Sequence, residues 1–185
     1  MIKTFEKLQH QSIGGQKLDQ MSVNTRWLNS AFKSDDIKKV SGSWITRGKI
    51  YNEVANSDFQ QKTIIADYEI KQPEAPRLAY EAFKEAYKLS EKKSEKKDAL
   101  EGMQEAESHL NNFAIFAYQA QEYDKAYSNF KSSLDAYDAI KEMGATSRLD
   151  EVENGYNDQL FFAAVSGYYG GMKAESKPLF LKLYE

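Results

Sequence analysis

Small and aromatic residues recur along this chain at helical spacing. Ala79, Phe83 and Ala86 stand at i, i+4 and i+7. Ala126, Phe130 and Ser133 repeat the pattern, and so do Ser176, Phe180 and Leu183. These intervals put three side chains on one face of a helix. A small residue there lets a neighbouring helix approach closely, and the aromatic ring fills the space beside it. The pattern predicts an all-α chain whose helices pair into stacked hairpins.

The same periodicity divides the chain into elements. Residues 16–31 read as an amphipathic helix with Leu18, Met21, Val23, Trp27, Leu28 and Ala31 as its apolar positions, after a Gly14-Gly15 loop. Ser34, Asp35 and Asp36 have helix-cap chemistry ahead of a second helix carrying Val40, Trp44, Gly48, Ile50, Tyr51 and Val54. Both tryptophans, Trp27 and Trp44, are expected in the core. Residues 56–76 are the least regular stretch, with a short helix expected around 64–70 before Pro73 and Pro76. Helices follow over 75–89, 99–120, 122–143, 152–169 and 172–184. The tract SEKKSEKKD from Ser90 to Asp98 reads as a solvated helix end or connection. Gly144 sits where a helix C-terminus favours glycine, and Gly170-Gly171 joins the last pair. No strand-like alternation is long enough to compete. The chain thus divides into an N-terminal segment and capping helix over 1–41 and a repeat region over 42–185, in units 42–94, 99–144 and 152–185.

Within those units the motifs are more specific. Trp44, Gly48 and Tyr51 stand at W-x3-G-x2-Y and are followed by Ala79, Phe83 and Ala86. Leu110, Phe113, Ala114 and Ala117 precede the turn Glu122-Tyr123-Asp124 and then Ala126, Phe130 and Ser133. Leu160, Ala163, Ala164 and Gly167 precede Ser176, Phe180 and Leu183. The arrangement resembles the tetratricopeptide repeat (TPR) family, whose repeat places an aromatic, a Leu, a Gly and a Tyr on its first helix and Ala, an aromatic and Ala on its second.

Two departures stand out. Arg47 replaces the usual Leu. Ala79 to Ala126 spans 47 residues and Ala126 to Ser176 spans 50, against about 34 in the family, so helices are lengthened or connections inserted. The segments Trp44-Ile45-Thr46-Arg47-Gly48-Lys49-Ile50-Tyr51 and Ala79-Tyr80-Glu81-Ala82-Phe83-Lys84-Glu85-Ala86 are similar to those of divergent TPR proteins of Bacteroidetes cell envelopes.

The resemblance implies an α-α superhelix of about three helical hairpins plus an N-terminal helix, in an exported protein. It implies packing roles for Trp44, Gly48, Tyr51, Ala79, Phe83, Ala86, Ala114, Ala126, Phe130, Ser133, Ser176 and Phe180. First-helix residues line a concave peptide-binding surface in the family. Those positions here are Ile45, Lys49, Asn52 and Glu53, then Asn111, Ile115, Tyr118 and Gln119, then Phe161, Val165, Tyr168 and Tyr169.

Composition narrows the function classes. Among 185 residues, 41% are hydrophobic and 13% aromatic, enough for a real core, and the net charge of −3 argues against nucleic acid as the main partner. With no cysteine, thiolate metal sites, disulfides and Cys nucleophiles are excluded. No run approaches the roughly 18 apolar residues of a membrane span. The polar start from Met1 to His10 lacks the apolar stretch of a signal peptide, so the protein is cytoplasmic if Met1 is its natural start, or belongs to the periplasm or cell envelope if a signal was removed. The last helix is apolar, with Leu179, Phe180, Leu181, Leu183 and Tyr184, and predicts either a longer natural chain or a partner covering this end.

Catalytic chemistry is sparse. Phosphate-binding, nucleophile-elbow and zinc-protease motifs are missing. The two histidines are His10, in the polar start, and His109, which follows Glu105 at helical spacing so that the two could meet on one face, but no further metal ligands are suitably spaced. The acid pairs Asp35-Asp36 and Asp150-Glu151 read as caps and solvated faces. No cofactor, metal site or enzymatic activity is expected. The expected function is a scaffold that holds a protein or peptide partner, within a larger complex. The alternatives are a structural subunit of an envelope assembly that binds through its ends or convex face, and a carbohydrate- or metabolite-binding module using the tyrosines.

Overall fold

The computed structural model describes the backbone of residues 16–184 and the side chains from Val23 onward. His10, the Gly14-Gly15 loop and the side chains of Leu18 and Met21 lie outside that description. The described elements are helices: α1 (Gln16–Ala31), α2 (Asp35–Lys38), α3 (Ser41–Ile64), α4 (Ala75–Leu89), α5 (Lys93–Gln119), α6 (Tyr123–Glu142), a 3-10 turn (Arg148–Glu151), α7 (Gly155–Tyr169) and α8 (Lys173–Lys182). No strand occurs among the described residues. From α3 onward each α-helix packs on its neighbour in sequence, and α5 also packs on α3 and α6 on α4.

The first core centres on Phe83, which is fully buried. A Cβ added to Gly48 of α3 would lie 2.6 Å from its ring, and one added to Gly102 of α5 would lie 2.2 Å away. The ring of α4 therefore fills a slot that exists only because both flanking helices carry hydrogen where other residues carry carbon. Tyr51, Ala79, Ala86, Met103, Leu110 and Ile140 close around it. A second core joins Ala114, Ala126, Phe130, Leu134, Leu160 and Ala163 across α5, α6 and α7. Gly167 of α7 lies against Ser176 of α8, where a Cβ would meet Oγ at 2.4 Å.

Of the twelve expected packing positions, ten are buried; Trp44 and Phe180 are only partly so. The Trp44 indole donates to the Lys38 carbonyl at 2.7 Å and lies edge-on to Phe32. Trp27 departs from expectation. It is 48% exposed on α1, beside a concavity it shares with Val23 and Ile37.

The joints between helices repeat as well. Gln121, Gly144 and Gly171 all have positive φ just past a helix end. The residue after each donates back into the last turn: Glu122 N to Ala117 O at 2.9 Å, Ala145 N to Ile140 O at 3.1 Å, and Met172 N to Gly167 O at 2.8 Å. This is the bond pattern of a left-handed helix stop.

Ser34 precedes only the four-residue α2, and Val40 lies just outside α3. Three further boundaries differ from the sequence expectation, each for a tertiary reason. No helix forms over 64–70, because α3 runs on to Ile64 and residues 65–74 form an irregular loop. Asp58, buried in α3, accepts from the Tyr68 hydroxyl at 2.6 Å and the Gln72 amide at 2.9 Å, and Lys62 Nζ donates to the carbonyls of Ala66 and Tyr68. Side-chain bonds thus replace helical ones across this stretch. Burial, with the Asp58 carboxylate beside it, pushes the Tyr68 phenol up to about 12.

The start of α5 is at Lys93 rather than 99, so most of SEKKSEKKD forms its first turns. Glu95 anchors there by accepting from Ser41 Oγ of α3 at 2.6 Å. Finally, α7 begins at Gly155, because residues 148–151 are held in the 3-10 turn. Glu107 of α5, fully buried, does this by accepting from Ser147 Oγ at 2.5 Å and the Arg148 amide at 2.9 Å.

Two predictions follow from these contacts. Gly102→Ala should destabilise the fold by about 1–3 kcal/mol in chemical denaturation, overpacking outweighing the roughly 1 kcal/mol gain in helix propensity. Adding Phe83→Leu should recover part of that loss, a coupling that a double-mutant cycle reads directly. Burial is the largest influence on Glu107 and raises its pKa against the opposing bonds from Ser147 and Arg148. A raised acid stabilises the fold most when protonated. The stability of the wild type relative to Glu107→Gln should therefore fall as pH rises above the ordinary glutamate value of 4.5, and level off past the folded-state value.

Candidate functional site

The side chains that α5 and α7 present together form the most developed exposed feature of the described surface. On α5, Asn111, Ile115 and Tyr118 are spaced i, i+4, i+7; on α7, Phe161, Val165 and Tyr168 are spaced the same way, fifty residues on. Helical geometry gives each trio a common face. Ile115, Phe161 and Tyr168 are exposed, while Asn111, Tyr118 and Val165 are half-buried.

Ring contacts knit the two helices together. Phe161 meets Phe162 edge-on at 5.6 Å, Phe162 meets Tyr118 at 5.5 Å, Tyr118 meets Tyr123 at 5.7 Å, Tyr123 meets Tyr169 at 5.3 Å, and Tyr169 meets Tyr168 at 5.7 Å. Six aromatic side chains from three helices thus form one continuous chain. Phe162 anchors it by stacking on the buried Phe130 at 5.9 Å, and the Lys173 ammonium sits 5.0 Å over the Tyr168 ring. Tyr169 is the most open member at 63% exposure.

The first unit does not contribute as expected. Asn52 was placed with the surface positions, yet it is 2% exposed, with Nδ2 donating to the Gly102 carbonyl and to Glu105 Oε2, both at 3.0 Å. The lengthened N-terminal half of α5 covers this face of α3, and Asn52 bridges the two helices instead of facing solvent. Ile45 is likewise buried. Lys49 remains half-exposed, 3.6 Å from Asp98 of α5. Sequence reasoning missed Phe162 and Tyr123. Phe162 directly follows Phe161, and its signal lay in the paired aromatics 161–162 and 168–169, whereas Tyr123 was read only as part of the turn Glu122-Tyr123-Asp124.

The acid pairs and the histidine named in the sequence are placed as follows. Asp35 and Asp36 pair with Lys38 and Lys39 one helical turn on, and Asp150 caps the 3-10 turn through the Ser147 amide while accepting from Lys141. His109 is buried, 3.7 Å from Glu105 Oε1. No group of three or more His, Cys, Asp or Glu able to hold a metal ion occurs among the described residues, and none of the described helices is long and apolar enough to cross a membrane.

No family model matches the chain, and neither does any curated protein or solved structure.

Exposed rings that pack on one another but not on the core should carry little stability. Phe161→Ala and Tyr168→Ala should each shift unfolding by no more than about 0.5 kcal/mol, whereas Phe130→Ala should cost about 3–5 kcal/mol. Urea titrations of the three variants make the comparison.

Proposed function

We propose that the protein is a non-enzymatic scaffold of TPR-like helical hairpins that holds a segment of a partner protein against α5 and α7. One observation carries this reading: the continuous, partly exposed aromatic chain from Phe161 to Tyr168, flanked by Ile115 and Val165. Tyrosine and phenylalanine give large contact area at low cost in side-chain entropy, and interface hot spots are rich in such residues. Amide and hydroxyl groups at the edge, from Asn111 and the tyrosines, supply hydrogen bonds that fix the register of a bound segment. Largely apolar stripes at i, i+4, i+7 spacing on α5 and α7, bridged by the Tyr118–Phe162 contact, suit a partner helix or an extended strand with alternating apolar side chains.

The test is selection of peptides from a displayed library on the purified chain, followed by titration against Phe161→Ala/Tyr168→Ala. Selected peptides should bind the wild type and lose about tenfold or more in affinity to the double variant, with its circular dichroism unchanged. Equal binding to both proteins would move the partner surface elsewhere. A library that yields no binder, beside a glycan array that does, would replace the peptide with a saccharide stacked on the same rings.

A further inference from the structure

On the opposite side of α5 from the aromatic chain lies a cavity of about 670 Å³, bounded by the 65–74 loop, the C-terminal half of α5 and the first turns of α6. Residues 111, 115 and 118 and residues 113, 116 and 120 fall on opposite faces of α5 by helical spacing. The cavity follows from unequal lengths: α3 has 24 residues and α5 has 27, but α4 between them has only 15. The loop takes the place of the missing turns without filling it.

Its walls are fixed in advance. The buried Asp58 carboxylate and the Lys62 ammonium hold the loop by four hydrogen bonds, and Phe59 of α3 stacks on Phe116 of the cavity floor at 5.9 Å. Ala117 and Ala120 extend that floor as an apolar surface.

The rim is charged and incompletely neutralised. Glu74 is bound by Arg77, Glu122 by Lys125, and Lys62 is committed to loop carbonyls. Glu69 and Asp124 line the same cavity and make no direct ion-pair contact among the described residues, although Asp124 shares the field of the Lys125 ammonium with Glu122. The lining carries four carboxylates, Glu69, Glu74, Glu122 and Asp124, against two ammoniums, Lys62 and Lys125, and an apolar floor with a net negative rim is complementary to a positive charge carried on an apolar stem.

We propose that this cavity binds an organic cation, an alkylammonium or guanidinium group whose stem lies on Phe116, Ala117 and Ala120 and whose charge meets the Glu69 and Asp124 rim. A free amine and the Lys or Arg side chain of a protein both have this chemistry. The cavity includes none of the rings of the aromatic chain, although Tyr123 lies between its Glu122 and Asp124, and it can be tested whether or not that face binds a peptide.

Amide chemical shifts of the full chain should be followed during titration with hexylammonium at constant ionic strength. Saturable shifts are expected at Ala117, Ala120 and Ser128. Hexanoate should produce none of them, and hexanol smaller ones. Both rim carboxylates are exposed, so Glu69→Gln/Asp124→Asn should stay folded and weaken hexylammonium about fivefold, the loss expected for two exposed charge pairs. A blocked Leu-Lys-Leu tripeptide that saturates the same amides at lower concentration would assign the site to a protein side chain; saturation by hexylammonium alone would assign it to a free amine. Absence of shifts at these amides, equal response to hexanoate, or unchanged affinity in the double variant would overturn the proposal.

Discussion

The fit of one phenylalanine ring between two glycines sets the geometry of the N-terminal half of this protein. Phe83 leaves α4 and enters a space bounded by Gly48 of α3 and Gly102 of α5. Three helices are thereby held at distances no other residue pair would permit. Glycine inside a helix weakens it, and here that weakness is offset by burial of a complete aromatic ring. The close approach also brings α5 against α3, which lets Asn52 reach the Gly102 carbonyl and removes it from the surface.

Buried polar groups do a second kind of work. Asp58 and Glu107 each sit inside a helix and accept hydrogen bonds from a non-helical segment distant in sequence. Backbone amides that leave a helix need partners when shielded from water, and these carboxylates supply them. The result is that the two irregular connections, 65–74 and 144–154, are held to particular side chains of α3 and α5. One of these connections defines a cavity; the other sets where α7 begins.

Much of the helical framework was legible in the sequence, because small–aromatic–small spacing reports directly on close packing. Phe83 stood out for that reason, and Gly48 through its place in the Trp44-Gly48-Tyr51 motif. Gly102 was not, although an interior helical glycine signals a packing or functional demand. The loop over 65–74 reads as partly helical from sequence because local propensity carries no trace of the acceptor Asp58, ten residues from Tyr68 and fourteen from Gln72. Asn52 was placed on the surface because repeat register was transferred from a family whose helices are shorter, whereas α5 here runs back to Lys93 over that face. Ile115, Phe161, Tyr168 and Tyr169 lie exposed on α5 and α7, where the register follows the fifty-residue interval within this chain.

The slot around Phe83 and the rings of α5 are locked to one another through a single rigid helix. A residue inserted into α5 between Gly102 and Ile115 would turn everything after it by about 100°. The slot would survive, but Phe116 would leave Phe59 and Tyr118 would leave Phe162. A residue inserted into 65–74 turns no helix. Length variation among descendants of this sequence is therefore channelled into the loop, where it reshapes the cavity, while the aromatic face is inherited whole.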